Sequence, residues 1–264
     1  MIEPQLRIER AVVVVPVHDE ELLLDECLSA LADATSAAGV DTEVVIVLDA
    51  CTDSSPSIAH GWAREVGATV VTLNRRNVGA ARAAGFRSST STPHSAALLA
   101  GESVTGAPHT WFATTDADSV VPEHWLSSQL EHAHRGAHVV AGTVSADFGA
   151  ASADLKMAYD ADYGVHLASG HNHVHGANLG MRAAAYWCVG GFADIATDED
   201  VELIARFDEA AIDVLYADDA PVSTSTRRVG RAPGGFSRHI RALELTTTGP
   251  AAPRAAASGL AVAQ

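Results

Sequence analysis

Unbroken apolar runs alternate along this chain with stretches of helical spacing. Residues 11–17 read AVVVVPV, a run suited to a strand buried on both faces. Apolar positions at Leu23, Leu24, Cys27, Leu28 and Leu31 then keep helical spacing through 21–38, and Gly39 ends that helix. Residues 43–48, EVVIVL, predict a second buried strand. Asp53 or Ser54 is placed to cap the next helix, which runs to about Gly67. Residues 68–73 predict a third strand. Such alternation predicts an α/β domain with a mostly parallel central sheet and helices on both faces.

The stretch 88–109 breaks this rhythm and reads as a helix end plus a loop. A strand is expected at 109–114, a helix from Pro122 to about Arg135, and a strand at 137–144. Residues 152–168 have amphipathic helical spacing, and 169–181 are irregular and His-rich. Helices at 183–189 and 199–210 and a strand at 212–216 follow. From 245 to 264 the chain offers little to bury and is expected to be disordered.

In open α/β sheets ligands bind outside the carboxyl ends of the strands. Four consecutive predicted exits are polar here: Pro16 to Glu20, Asp49 to Asp53, Asn74 to Gly85, and Asp116-Ala117-Asp118. An Asp-x-Asp pair alone is more often an Asx-turn or a solvated loop. At a strand end it can also hold Mg²⁺ or Mn²⁺, cations that favour carboxylate oxygens and share them with substrate phosphates. Four polar exits in succession favour the second reading.

Composition narrows the partners. The 264 residues are 47% hydrophobic, enough for a core, and carry a net charge of −16. That charge argues against nucleic acid and against an electrostatic grip on anionic lipid. No stretch approaches the roughly 20 apolar residues of a membrane span. The N-terminus lacks a secretory pattern, so a cytoplasmic location is expected. Cys27, Cys51 and Cys188 are widely spaced, which indicates neither a disulfide framework nor a Cys-rich zinc site.

The segments VVVVPVHDEE, VVIVLDACTDSS, NVGAARAAG, TTDADS, HGANLGMRAAAYWCVGGF and TDEDVEL occur in this order. Together, over roughly residues 11–235, they resemble family 2 glycosyltransferases, inverting enzymes of the GT-A fold that use nucleotide sugars. The resemblance implies one domain over 1–244. About 8–145 would be the nucleotide-sugar-binding half and about 146–244 the acceptor half. Where the family usually has Asp-Asp-Gly-Ser, this chain has Leu48-Asp49-Ala50-Cys51, and His18 stands where an aromatic is more usual.

By the same resemblance, Pro16, His18 and Glu20 contact the nucleotide. For Glu20, a first-turn acid favouring the helix dipole is an equal reading. Asp49 accepts a nucleobase N–H, which suits uracil and makes a UDP-sugar the favoured donor. Gly79 and Arg82 lie where a phosphate or the base would approach. Asp118 is the expected ligand of a divalent metal, Mn²⁺ or Mg²⁺, and Asp116 faces the metal or the ribose. Asp200 matches the catalytic base, with Glu199 and Asp198 as neighbouring alternatives; an acidic helix N-terminus is the plain structural reading of all three. Arg227 and Arg228 either close over the diphosphate or form an exposed basic loop. His171, His173 and His175 lack a matching zinc-ligand set and are read as lining the acceptor cleft. Trp187 and Phe192 are read as core. The expected reaction is sugar transfer from a nucleoside-diphosphate sugar to an acceptor hydroxyl. A sugar-phosphate nucleotidyltransferase and a non-catalytic nucleotide-sugar binder are the alternatives.

Overall fold

A computed structural model of the chain describes residues 7–89, 109–147 and 174–225. The expected helix at 152–168, His171, His173, Arg227, Arg228 and the tail 245–264 lie outside the described residues, as does most of the stretch 88–109.

The first half follows the predicted alternation. It contains β1 (Arg10–Val17), α1 (Leu24–Ala37), β2 (Asp41–Asp49), α2 (Ser55–Val66), β3 (Thr69–Leu73), α3 (Val78–Ser88) and β4 (Thr110–Thr114). After β4 come β5 (Ser119–Val120), α4 (Trp125–His134), β6 (Val139–Asp147), a 3-10 turn at Gly176–Asn178, β7 (Leu179–Arg182), α5 (Ala183–Cys188), α6 (Glu199–Glu209) and β8 (Val214–Ser225). The eight strands form one sheet in the order β3-β2-β1-β4-β7-β6-β8-β5. All but β5 and β7 point the same way.

Period-two alternation splits the valines of β1 between two cores. Val13, Val15 and Val17 join Leu24, Leu28 and Leu31 of α1 and Trp125 and Leu126 of α4 on one face. Val12 and Val14 join Phe86 of α3, Tyr186 of α5 and Leu203 and Phe207 of α6 on the other. Because β3, β2, β1 and β4 are parallel neighbours, their four polar exits lie side by side along one edge.

Sequence pattern missed β5 and β7, and it ended β8 nine residues early, at 216 instead of Ser225. β7 is four buried residues, LGMR, too short for periodicity to register. The second half of β8 reads polar because the strand bulges. Gly142 of β6 faces Ala217, but Val144 faces Val222, so residues 218–221 arch out of the ladder and Pro221 is accommodated there.

Asn178 closes the gap that this bulge opens. Its Nδ2 donates to the carbonyls of Thr143 and Ala220, both at 2.9 Å. Its Oδ1 accepts from Trp125 Nε1 at 2.9 Å and from Gln129 Nε2 at 3.3 Å. Gly142 makes room, since a Cβ there would collide with the Asn178 amide. Each buried group left unsatisfied costs about 1–3 kcal/mol. Asn178→Ala strands several, so it should lower unfolding free energy by about 3 kcal/mol or more in urea denaturation. A loss under about 1 kcal/mol would show that the bulge does not depend on Asn178.

Candidate active site

The first three exits are laced to one another through side-chain acceptors. Asp49, only 3% exposed, ends β2. Its carboxylate accepts from the backbone N–H groups of Arg75 (2.6 Å), Arg76 (3.0 Å) and Asn77 (2.7 Å), which form the β3–α3 turn. These bonds occupy about three of its four lone-pair sites. His18 Nδ1 lies 2.7 Å from the Asp49 carbonyl oxygen. Asp19 accepts from the Thr52 N–H at 2.6 Å, and the Glu20 N–H donates to Ser55 Oγ at 2.7 Å. Asp53 caps α2 by accepting from the Ser55 N–H and also takes the Glu21 N–H, each at 2.9 Å; Ser54 makes no side-chain cap. Pro16 is half-buried within β1, opposite Val47. Asp19, Ala50 and Arg76, one at each exit, hold left-handed backbone with φ of 54°, 54° and 48°. At Ala50 this is a conformation that glycine adopts more readily, in keeping with the glycine the sequence resemblance leads one to expect there.

Asp19, Cys51 and Asp53 bring ligand atoms within 4.8 Å of one another. The two acids are already engaged with backbone N–H groups, so this cluster serves as the clasp between the first two exits.

Arg82 occupies the centre of the site. The hydroxyl of Thr114, at the end of β4, receives its Nε–H at 3.2 Å. Nη2 donates to Asp116 Oδ1 at 2.5 Å, and Nη1 donates to Glu199 Oε1. The Phe192 ring lies 5.5 Å from the guanidinium carbon, a cation–π arrangement. A Cβ on Gly176 would collide with the guanidinium as it is placed here, so the glycine lets the two pack directly. Arg82 is 2% exposed and each of its three nitrogens donates to protein. It was expected to meet a phosphate or the base; in this structure it pairs with Asp116 and Glu199. Burial works against its charge, but Glu199, Asp116 and Asp200 outweigh that and raise its pKa above the ordinary value.

Three carboxylates thus act on one buried cation, and Asp118 lies close to one of them, Asp116. Burial pushes the Asp116 carboxyl up to about 7; Arg82 opposes the shift, while Asp118, Glu199 and Asp200 add to it. Its side chain keeps 38% of its surface open, yet protein crowds the carboxyl itself. Cys27 donates to the Asp116 carbonyl at 3.3 Å, and burial, with Asp118 and Asp116 nearby, raises its pKa and keeps it a thiol. Asp118 is partly exposed; its carbonyl accepts the Ser225 N–H at 3.2 Å, which fixes the fourth exit to β8.

Two adjacent acids at the start of α6 are sorted by their partners. Glu199 is 5% exposed and committed to Arg82. Asp200 is partly exposed; its Oδ2 accepts the Gly176 N–H at 2.7 Å and its Oδ1 the Val201 N–H at 2.8 Å. Asp198 is exposed, with left-handed φ of 59° and no side-chain cap bond.

A parallel sheet whose carboxyl edge gathers acids around a buried arginine agrees with the comparisons. The profile described as Glycosyl transferase family 2 matches residues 12–190. The chain belongs to glycosyl transferase family 2. Among curated proteins none matches it in sequence. Its GT-A fold is shared with S. aureus TarS 1-349 in complex with UDP, at 14% identity and a TM-score of 0.56 over 83% of this chain and 61% of that one. It is shared also with the mannosyltransferase PcManGT from Pyrobaculum calidifontis in complex with GDP-Man and Mn²⁺, at 18% identity and a TM-score of 0.63. That match covers 92% of this chain and 72% of the mannosyltransferase. This family member thus spans about three-fifths of the TarS fragment it matches.

In this family member the structure joins Arg82 to Asp116 and Glu199, with Asp200 near enough to raise the Arg82 pKa and Asp118 near enough to raise that of Asp116. Sequence reasoning missed Gly176, which holds Asp200, and Thr114, which holds Arg82. It read Phe192 only as core. The segment HGANLG was visible as a motif, but nothing in it announces a backbone N–H as the functional group. Trp187 is half-buried and packs edge-on against Phe112 and Tyr186, as core reading expects.

The raised Asp116 carboxyl makes stability depend on pH. Between its ordinary value of 3.8 and about 7, the folded protein holds a proton that the unfolded chain has lost. Its contribution to stability therefore falls as pH rises through that window. Metal-free wild type and Asp116→Asn, melted from pH 5 to 8, should show wild type losing ground to the variant as pH rises. Parallel profiles would remove the shift.

Proposed function

We propose that this chain transfers a sugar from a nucleoside-diphosphate sugar, UDP-linked by preference, to an acceptor hydroxyl with inversion at the anomeric carbon. The observation that carries this reading is the gathering of Asp116, Glu199 and Asp200 around the guanidinium of Arg82, with Asp118 beside Asp116, at the carboxyl edge of the sheet. The donor set suits a hard cation: carboxylate oxygens from Asp116 and Asp118, with a local excess of negative charge. Asp118 is the principal ligand in this reading, since Asp116 gives one oxygen to Arg82. The two acids alone do not complete a coordination shell, which fits a Mn²⁺ or Mg²⁺ ion that arrives with donor phosphates. When bound, the ion stabilises the charge that grows on the departing diphosphate.

The chain's own residues divide the remaining work. The pinned exits Pro16–Glu20 and Asp49 form the nucleotide side. Asp49 offers its remaining lone-pair site to a nucleobase N–H, the basis for favouring uracil. Asp200 serves as general base. It removes the acceptor proton as that oxygen bonds to the anomeric carbon, and the bond to the diphosphate breaks with its electron pair on the leaving oxygen. Glu199, paired with Arg82, suits the role of base less well. The backbone N–H of Gly176 fixes the Asp200 carboxylate. TarS was solved with UDP and PcManGT with GDP-Man and Mn²⁺, and both ligand sets suit this reading.

Thermal-shift screening of UDP- and GDP-sugars with and without Mn²⁺ tests the donor side. A sugar nucleotide should stabilise the protein in a metal-dependent way, by an amount set by affinity and concentration. Asp118→Ala should abolish the metal-dependent part. Asp200→Asn should keep the shift and lower transfer about 100-fold or more. No shift with any donor would remove the reading, and full transfer by Asp200→Asn would remove the base assignment.

A further inference from the structure

We propose that the corner between β3 and α3, residues 74–82, is the seat that positions the base-bearing segment 193–200. In this assignment Gly79 and Arg82 serve the seat and do not bind the diphosphate. The inference rests on the glycosyl-transfer reading above and deepens it.

A helix N-terminus that cradles phosphate must present bare N–H groups. The start of α3 does not. Asn77 N–H donates to Asp49, Gly79 N–H to the Ile195 carbonyl at 3.2 Å, and Ala80 N–H to Asn77 Oδ1 at 2.9 Å. Gly79 also lacks open space. A Cβ there would collide with the Ala193 carbonyl oxygen and lie 2.7 Å from that of Ile195 and 3.2 Å from Glu199 Cβ. The glycine is therefore required by the approach of the 193–199 segment.

Contacts continue along the corner in register with that segment. Arg75 forms an exposed ion pair with Asp194. Gly79 meets Ala193 and Ile195, and Arg82 takes Glu199, the residue before the base. Phe192 lies over the Arg82 guanidinium, and Gly176, packed against that guanidinium, donates to Asp200. Asp49 fixes the corner itself through three backbone bonds. A continuous set of contacts thus runs from the β2 exit to Asp200. A general base must lie within hydrogen-bond reach of the proton it removes, and a misplacement of about 1 Å can cost about 100-fold in rate. Gly79 and Arg82 are thus positioning residues for Asp200.

The test compares wild type, Gly79→Ala, Arg82→Lys and Asp194→Ala. Asp194→Ala, at the exposed rim, serves as the mild variant if a core substitution fails to fold. Three quantities are measured on each protein: UDP and GDP affinity with Mn²⁺ by calorimetry, hydrolysis of UDP-glucose and GDP-mannose, and amide exchange of residues 193–209 by mass spectrometry. Gly79→Ala should lower kcat about 100-fold while the nucleotide Kd stays within about twofold. Exchange across 193–200 should speed up by about tenfold or more. Asp194→Ala should move kcat and exchange the same way by a smaller factor. Arg82→Lys keeps the charge but loses the planar fork that holds Thr114, Glu199 and Asp116 on separate nitrogens, so it should resemble Gly79→Ala. A tenfold rise in nucleotide Kd with unchanged exchange would overturn the proposal and make α3 a phosphate cradle. If wild type binds neither nucleotide, the glycosyl-transfer reading fails, while the exchange of 193–200 still decides the seat.

Discussion

One buried guanidinium holds the two sides of this site together. Arg82 reaches from α3 to Asp116 at the β4 exit and to Glu199 at the start of α6. Removing a buried cation from water is costly, and the pair persists only because its charge and its hydrogen bonds are met at once. Thr114 takes the Nε–H, Phe192 offers its ring face, and Gly176 allows the backbone to close in. Loss of one partner in such a pair costs about 3–5 kcal/mol, because the other charge is left buried alone. The approach of Asp116 and Glu199 to one another is therefore compensated by Arg82.

The surrounding fold fixes the positions of these groups. Parallel neighbours β3, β2, β1 and β4 deliver four exits to one edge. Asp19, Asp49 and Asp53 then bind backbone N–H groups of adjacent turns, so the exits form one laced rim. Left-handed backbone at Asp19, Ala50 and Arg76 is the conformational cost of that rim, of the kind that collects at functional sites. On the other half, Asn178 repairs the ladder at the β8 bulge, and Ser225 of the same strand ties down Asp118. The arrangement of the acids thus depends on buried polar bonds spread over both cores.

Much of this was legible in the sequence, for reasons that can be named. The valine run of β1 and the spacing of α1 announce an α/β sheet, and the sheet rule points to its exits. Asp116 and Asp118 were found at such an exit, and Glu199 and Asp200 through the family resemblance. Which of these acids meets Arg82 was not legible, because the Arg82–Glu199 contact spans 117 residues. Arg82 and Gly79 were read from motif chemistry as facing a phosphate or the base; their packing against 193–199, which the sequence does not show, is what the seat proposal rests on. β7 was too short to show a period, and β8 was hidden by its bulge. Gly176 acts through its backbone N–H, which a side-chain reading does not see.

Anomalous diffraction from crystals soaked with Mn²⁺ and UDP tests the central claim most directly. The account predicts an Mn²⁺ peak at coordination distance from Asp118, bridging to the diphosphate, with Arg82 still bonded to Asp116 and Glu199. Arg82 turned onto the diphosphate, or the ion seated at Asp19 and Asp53, would contradict it.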